Sequence, residues 1–154
     1  MKPINRLVSA TVVAGSLVCV AAAATVHGQG QAAQVNSQLA LARFATAKYH
    51  DVNAAIDDGY VPIGTNPAED DAFELVNFSL VDCTLDAAHP EALRYVESGG
   101  RLRLIAVEYA IPMACSPNPP EWFLPGAGEW EQEAGVPAWM MGVFVWSGAS
   151  AGTN

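Results

Sequence analysis

GGRLRLIAVEYAIP, residues 99–112, is the stretch that decides the fold. Two glycines supply the positive φ angles that a tight reversal needs, so residues 97–100, ESGG, read as a hairpin loop. Beyond the turn, Leu102 and Leu104 alternate onto one face of an extended chain and Ile105, Val107, Tyr109 and Ile111 onto the other. Apolar residues on both faces predict a strand in the middle of a sheet, ended by Pro112. Glu108 is the single carboxylate, in register with Leu102, Leu104 and Ala106.

The neighbouring segments fit around this strand. Residues 94–96 resume an extended pattern and lead into the hairpin. Residues 138–146, AWMMGVFVW, carry no charge and are too short to cross a bilayer as a helix, which predicts a second buried strand. Residues 72–82, AFELVNFSLVD, are rich in β-formers, but their alternation slips at Leu75 and Val76. A bulge there would turn Glu74 and Asn77 toward the same region. Residues 38–58 place Leu41, Phe44, Ala45, Val52, Ala55 and Ile56 at helical spacings, with Ser37 as N-cap and Gly59 as the left-handed residue that ends the helix. Lys48 interrupts this stripe and is expected to snorkel along it. His50 and Asp51 are adjacent on the helix and do not face each other, so a solvated histidine is expected. Residues 60–67, YVPIGTNP, read as a loop that docks Tyr60, Val61 and Ile63. The acidic cluster Glu69, Asp70 and Asp71 lacks calcium-loop spacing and reads as solvated loop. Residues 84–93 form a connection in which Pro90 biases His89 toward an extended turn conformation. Residues 113–137 contain Pro117, Pro119, Pro120, Pro125 and Pro137 and are too long for an ordinary connection. Trp122, Phe123 and Trp130 argue for order: this loop either closes a pocket as a lid or covers a bare apolar face.

Residues 1–28 place Lys2 and Arg6 before an apolar run and small residues, the pattern of a secretory signal peptide. A retained anchor over residues 7–26 is the competing reading. Cys19 lies within this segment and would leave with it. Removal takes two of the 7 basic residues and none of the 16 acidic ones, leaving a mature net charge of −11. Such a chain repels phosphate backbones, so nucleic-acid partners are disfavoured, and after signal removal no membrane partner is expected. Residues 29–37 read as a flexible lead-in, 38–146 as one domain and 147–154 as a polar tail. Cys83 and Cys115 are the two cysteines left, and in an oxidising, extracytoplasmic setting a lone pair is most simply a disulfide. A thiol nucleophile at Cys83 acting with His89 lacks a group to orient the histidine.

Recognisable chemistry is sparse. The chain has no phosphate loop, nucleophile elbow, CxxC pair or helical zinc motif. Glu108 stands out, because an apolar setting would raise its pKa and suit it to proton transfer, unless Arg101, Arg103 or another donor pairs with it. Glu74 and Asn77 would join it as a polar pocket floor. Trp139 and Trp146 fit either a ligand site or the core, and Trp146 completes the candidate pocket with Glu74, Asn77 and Glu108.

The blocks ATAKYHDVNAAIDDGYVP, Val76-Asn77, HPEALRY and GRLRLIAVEYAIP resemble a family of small exported bacterial proteins of uncharacterised function. The resemblance implies an exported domain. In the family pattern a His-Tyr-Val-Asn run stands where this chain has Glu74, Leu75, Val76 and Asn77, and a His-Val-Trp run where it has Gly142, Val143 and Phe144. Two such histidines with Glu108 would make a metal or haem site. Both are replaced here, so no metal ligand and no cofactor is assigned.

The sequence therefore predicts an α+β domain, one N-terminal helix packed on an antiparallel sheet of about four strands and stapled by Cys83–Cys115. A helix with a curved sheet around an internal pocket is the alternative architecture. The expected function is a secreted, non-enzymatic binding or interaction domain for a small molecule or protein. The alternative is an enzyme or metal-dependent protein with a carboxylate pocket at Glu108 and Glu74.

Overall fold

A computed structural model describes residues 20–66 and 72–146. Most of the expected signal peptide, the Glu69–Asp71 cluster and the polar tail lie outside the described residues. Helix α1 (Val20–Thr46) leads through a 3-10 turn (Ala47–His50) into a short helix α2 (Val52–Asp57). Five strands follow: β1 (Val61–Asn66), β2 (Ala72–Val76), β3 (Ala92–Ser98), β4 (Arg101–Pro112) and β5 (Ala138–Val143). They form one antiparallel sheet in the order β1-β2-β3-β4-β5, so each strand pairs with its sequence neighbour. The α+β class and the disulfide agree with the sequence; the sheet has one strand more. Among the described residues, no helix is long and apolar enough to cross a membrane.

The hairpin forms as expected, with Gly99 at φ 62° and Gly100 at φ 75° between the paired residues Ser98 and Arg101. The strand after it departs from simple alternation. Arg94 pairs with Ala106 and Tyr95 with Leu104, which leaves Ile105 as an extra residue in β4. This bulge changes the phase, so Leu102 and Leu104 join Val107 and Tyr109 in the core while Ala106 and Glu108 face the other way. The expected sharing of a face by Leu102, Leu104 and Glu108 is therefore corrected. No bulge forms at Leu75/Val76: β2 pairs with β3 without a break and ends at Val76, and residues 77–80 turn away, with Leu80 N–H donating to Asn77 O.

The expected single helix over residues 38–58 is divided, because Asp51 accepts from Asn53 N–H at 3.0 Å and caps α2 as a separate start. α1 begins well before Ser37 and includes residues 29–37, expected as lead-in, as helix. The break turns Tyr49 into the core, against Tyr60 at 5.2 Å, where its carbonyl accepts from the Tyr95 hydroxyl at 2.7 Å. Gly59 ends α2 at φ 93°, as predicted. Lys48 pairs with Asp58 at the surface instead of lying along the helix. Residues 61–66 add a strand rather than a loop; Tyr60 docks, whereas Val61 and Ile63 are exposed. Pro62 has no N–H for a ladder and sits at a register shift in this edge strand.

Residues 113–130 cover the core face of β4 and β5. Phe123 packs edge-on against Tyr109 at 5.0 Å, and Phe123 and Leu124 are buried. Glu131 exchanges backbone hydrogen bonds with Met140, which protects the outer edge of β5. Gly128 makes this approach feasible: a Cβ there would stand 2.6 Å from Gly142 O and 2.8 Å from Met141 Cγ. Gly128→Ala is expected to lower stability by about 1–3 kcal/mol in urea unfolding. Gly142→Ala is the control, since its Cβ meets nothing nearer than Glu108 Oε1 at 3.8 Å. Equal losses in the two variants would contradict the close approach.

Candidate functional site

Cross-strand register assembles a carboxyl pair on the face opposite the core. Glu108 stands opposite Ala92 on one side and Gly142 on the other, and Glu74 stands opposite Arg94. Arg94 is thus the diagonal neighbour of Glu108, and its Nη2 donates to Glu108 Oε1 at 3.1 Å. Glu74 is a hydrogen-bonding neighbour of the same carboxyl. The Glu108 side chain is 8% exposed and that of Arg94 17%. Burial, followed by the hydrogen bond and charge of Glu74, pushes the Glu108 pKa up to about 8 against the opposing pull of Arg94. Burial and the neighbouring carboxylate thus both favour the protonated form of Glu108.

The other expected members stand elsewhere. Asn77 is buried but clips α2 to the sheet, with Nδ2 donating to Asp58 O at 3.1 Å and Oδ1 accepting from Ser79 N–H at 3.1 Å. Trp146 donates through Nε1 to Thr46 Oγ1 at 3.2 Å and meets His50 edge-on at 4.5 Å, at the end of α1. Both serve the helix–sheet junction, so the four-residue pocket reduces to Glu74 and Glu108 with Arg94 added. Positions 74 and 142 both adjoin Glu108. Cys83 is bonded to Cys115, which removes the thiol nucleophile, and His89 Nδ1 lies 2.8 Å from Asp86 Oδ2 at the surface. No group of three or more metal-ligating side chains occurs among the described residues.

Glu91 is a second buried carboxyl. It precedes β3, and its Oε2 accepts from Ala110 N–H at 3.1 Å. Burial raises its pKa to about 8 against the hydrogen bonds from Ala110 and its own backbone. Both carboxyls therefore hold protons in the folded chain that an unfolded chain releases above an ordinary value of 4.5. Between about pH 4.5 and about 8 the unfolded state binds fewer protons, so stability falls as pH rises through this window and levels off above it. The urea midpoint is expected to be higher at the acidic end than at the alkaline end, with the slope flattened in the Glu91→Gln/Glu108→Gln variant. A wild-type midpoint that is level or rises with pH would contradict the assignment.

A cleft of about 510 Å³ opens on the other face, beneath the proline-rich loop. Phe123, Leu124 and Met141 contribute its apolar lining, Trp130 one wall, and Glu121 and Glu129 its acidic groups; Gln31 reaches it from α1. Met141 pairs with Tyr109 and Gly142 with Glu108, so the alternation of side chains separates the cleft from the carboxyl pair by the thickness of the sheet. Leu124 is held at φ 47°, a backbone conformation uncommon for a non-glycine residue and maintained here by complete burial. The loop both covers the core and borders a cleft, joining the two expectations for it. Its base is closed by Met113 N–H donating to Pro137 O at 2.9 Å and Trp139 Nε1 donating to Ser116 O at 3.2 Å. Comparison with protein-family models, curated proteins and solved structures returns no match for this chain.

Proposed function

We propose that the chain is an exported, non-enzymatic binding domain whose ligand occupies the cleft beneath residues 119–130. The observation that carries this reading is the cleft itself: its volume suits a small organic molecule, and its largely polar lining sets Glu121 and Glu129 beside the Trp130 ring. The strained Leu124 backbone at the cleft is further support, because such conformations gather at sites that must be held in shape. Export is supported by the basic, apolar and small-residue order at the N-terminus and by the disulfide, which is compatible with an oxidising compartment.

The test is a thermal-shift screen of the full chain against small organic molecules, repeated on Trp130→Ala. Compounds that stabilise the wild type are expected to lose about tenfold or more in affinity in the variant, as for the loss of a large aromatic contact. Stabilising compounds indifferent to Trp130→Ala would move the site elsewhere.

Proton-transfer chemistry at Glu108 and Glu74 is the second reading, supported by the meeting of the two carboxyls and the raised pKa of Glu108. It requires turnover of an ester, amide or glycoside that disappears in Glu108→Gln. Activity that survives this substitution would exclude the pair.

A further inference from the structure

We infer that the cleft selects an organic cation with an apolar body, an inference that rests on the cleft being the ligand site. Its charged lining groups are Glu121 and Glu129, and no lysine, arginine or histidine lines it. Nor does the later chain supply one: residues 104–154 contain no basic residue, while Glu131 and Glu133 extend the negative charge along the same loop. Among the described residues neither Glu121 nor Glu129 has an ion-pair partner. Their negative field is therefore uncompensated by any lining cation, which favours cations over carboxylates and phosphates.

The apolar side of the cleft matches such a ligand. Trp130 is the aromatic ring that the cleft leaves partly accessible, backed at 6.4 Å by the buried Phe123 ring. A weakly hydrated ammonium is attracted to the half-buried Trp130 ring as well as to the carboxylates. A small metal ion would forfeit its hydration shell here without a cage of oxygens to replace it. A quaternary or alkyl ammonium attached to an apolar group gains from the carboxylates and from the Trp130 ring.

The experiment titrates the full chain with benzyltrimethylammonium, with its uncharged carbon isostere neopentylbenzene, and with phenylacetate, by equilibrium dialysis and tryptophan fluorescence. The cation is expected to bind about tenfold or more tightly than the neutral isostere, with phenylacetate weakest. Glu121→Gln/Glu129→Gln should lose about tenfold for the cation and leave the neutral compound unchanged, and high salt should weaken the cation alone. Circular dichroism and the thermal midpoint of the variant report that it remains folded. Equal binding of the cation and its isostere, unaltered by the double substitution, would overturn the charge preference and leave the cleft as a binding site. If no probe of any charge binds the wild type, or if Trp130→Ala leaves binding intact, the cleft reading falls together with the inference.

Discussion

Arg94→Ala is expected to destabilise the protein by about 3 kcal/mol or more at alkaline pH and by clearly less near pH 5. Arg94 is the cation beside a carboxyl pair that burial holds away from water. Its removal leaves Glu74 and Glu108 facing each other without compensating charge, and a buried charge that loses its partner is costly. Acid relieves that cost, because protonation of Glu108 removes the buried charge and its repulsion with Glu74. The difference between the two pH values separates the electrostatic role of Arg94 from simple packing, which is insensitive to pH. Arg94→Met, which preserves much of the apolar stem, should show the same pH-dependent part with a smaller constant loss. Equal destabilisation at both pH values would mean that Arg94 contributes only as a space-filling side chain.

Loss of the disulfide is the second large effect. Cys83 lies in the connection after β2 and Cys115 just after β4, so the bond ties together segments 32 residues apart. In the chain-entropy account, releasing that loop in the unfolded state costs about 3–4 kcal/mol of stability. Cys83→Ala/Cys115→Ala should show this loss in urea, and the wild type with reductant should approach the variant. Hydrogen exchange should quicken most in residues 113–124, because Cys115 anchors the start of the loop that covers the core. A midpoint unchanged by reductant and substitution would show that the hydrophobic contacts of Phe123 and Leu124 hold the loop alone.

What the sequence conveyed followed from local physics. The two glycines and the β-branched and aromatic run of residues 99–112 specify a turn and a strand wherever they are placed, and β4 formed there. Gly59 likewise ended a helix for reasons contained in its own backbone. The break at Asp51 was less legible, because residues 38–58 retain helical spacing throughout; the division is favoured once Tyr49 meets Tyr60 and accepts from Tyr95. β1 was hidden by Pro62 and Gly64, turn residues that an edge strand tolerates beside a register shift.

The candidate site was legible in its carboxylates and obscure in its partner. Glu108 stood out as a charge within an apolar run, but Arg94 comes beside it only through the register fixed by the bulge at Ile105, which no local pattern announces. Arg101 and Arg103, the partners nearest in sequence, lie at the hairpin end and are exposed. Glu91 was missed because it stands just before β3, where an acidic residue resembles an ordinary loop position; its carboxyl accepts the Ala110 N–H that a further strand residue would have taken. Asn77 and Trp146 were polar-tipped residues near strand ends, and both are used to fasten the helices to the sheet.

The central claim, that ligand binding belongs to the loop-covered face, is tested most directly by the indole N–H resonances of the chain's 4 tryptophans. In a titration of nitrogen-15-labelled full chain with a stabilising compound, the Trp130 signal should move in proportion to saturation while Trp146, packed at Thr46 and His50, stays in place. Movement of Trp146 with Trp130 unaffected would contradict the account and place the ligand at the helix–sheet junction.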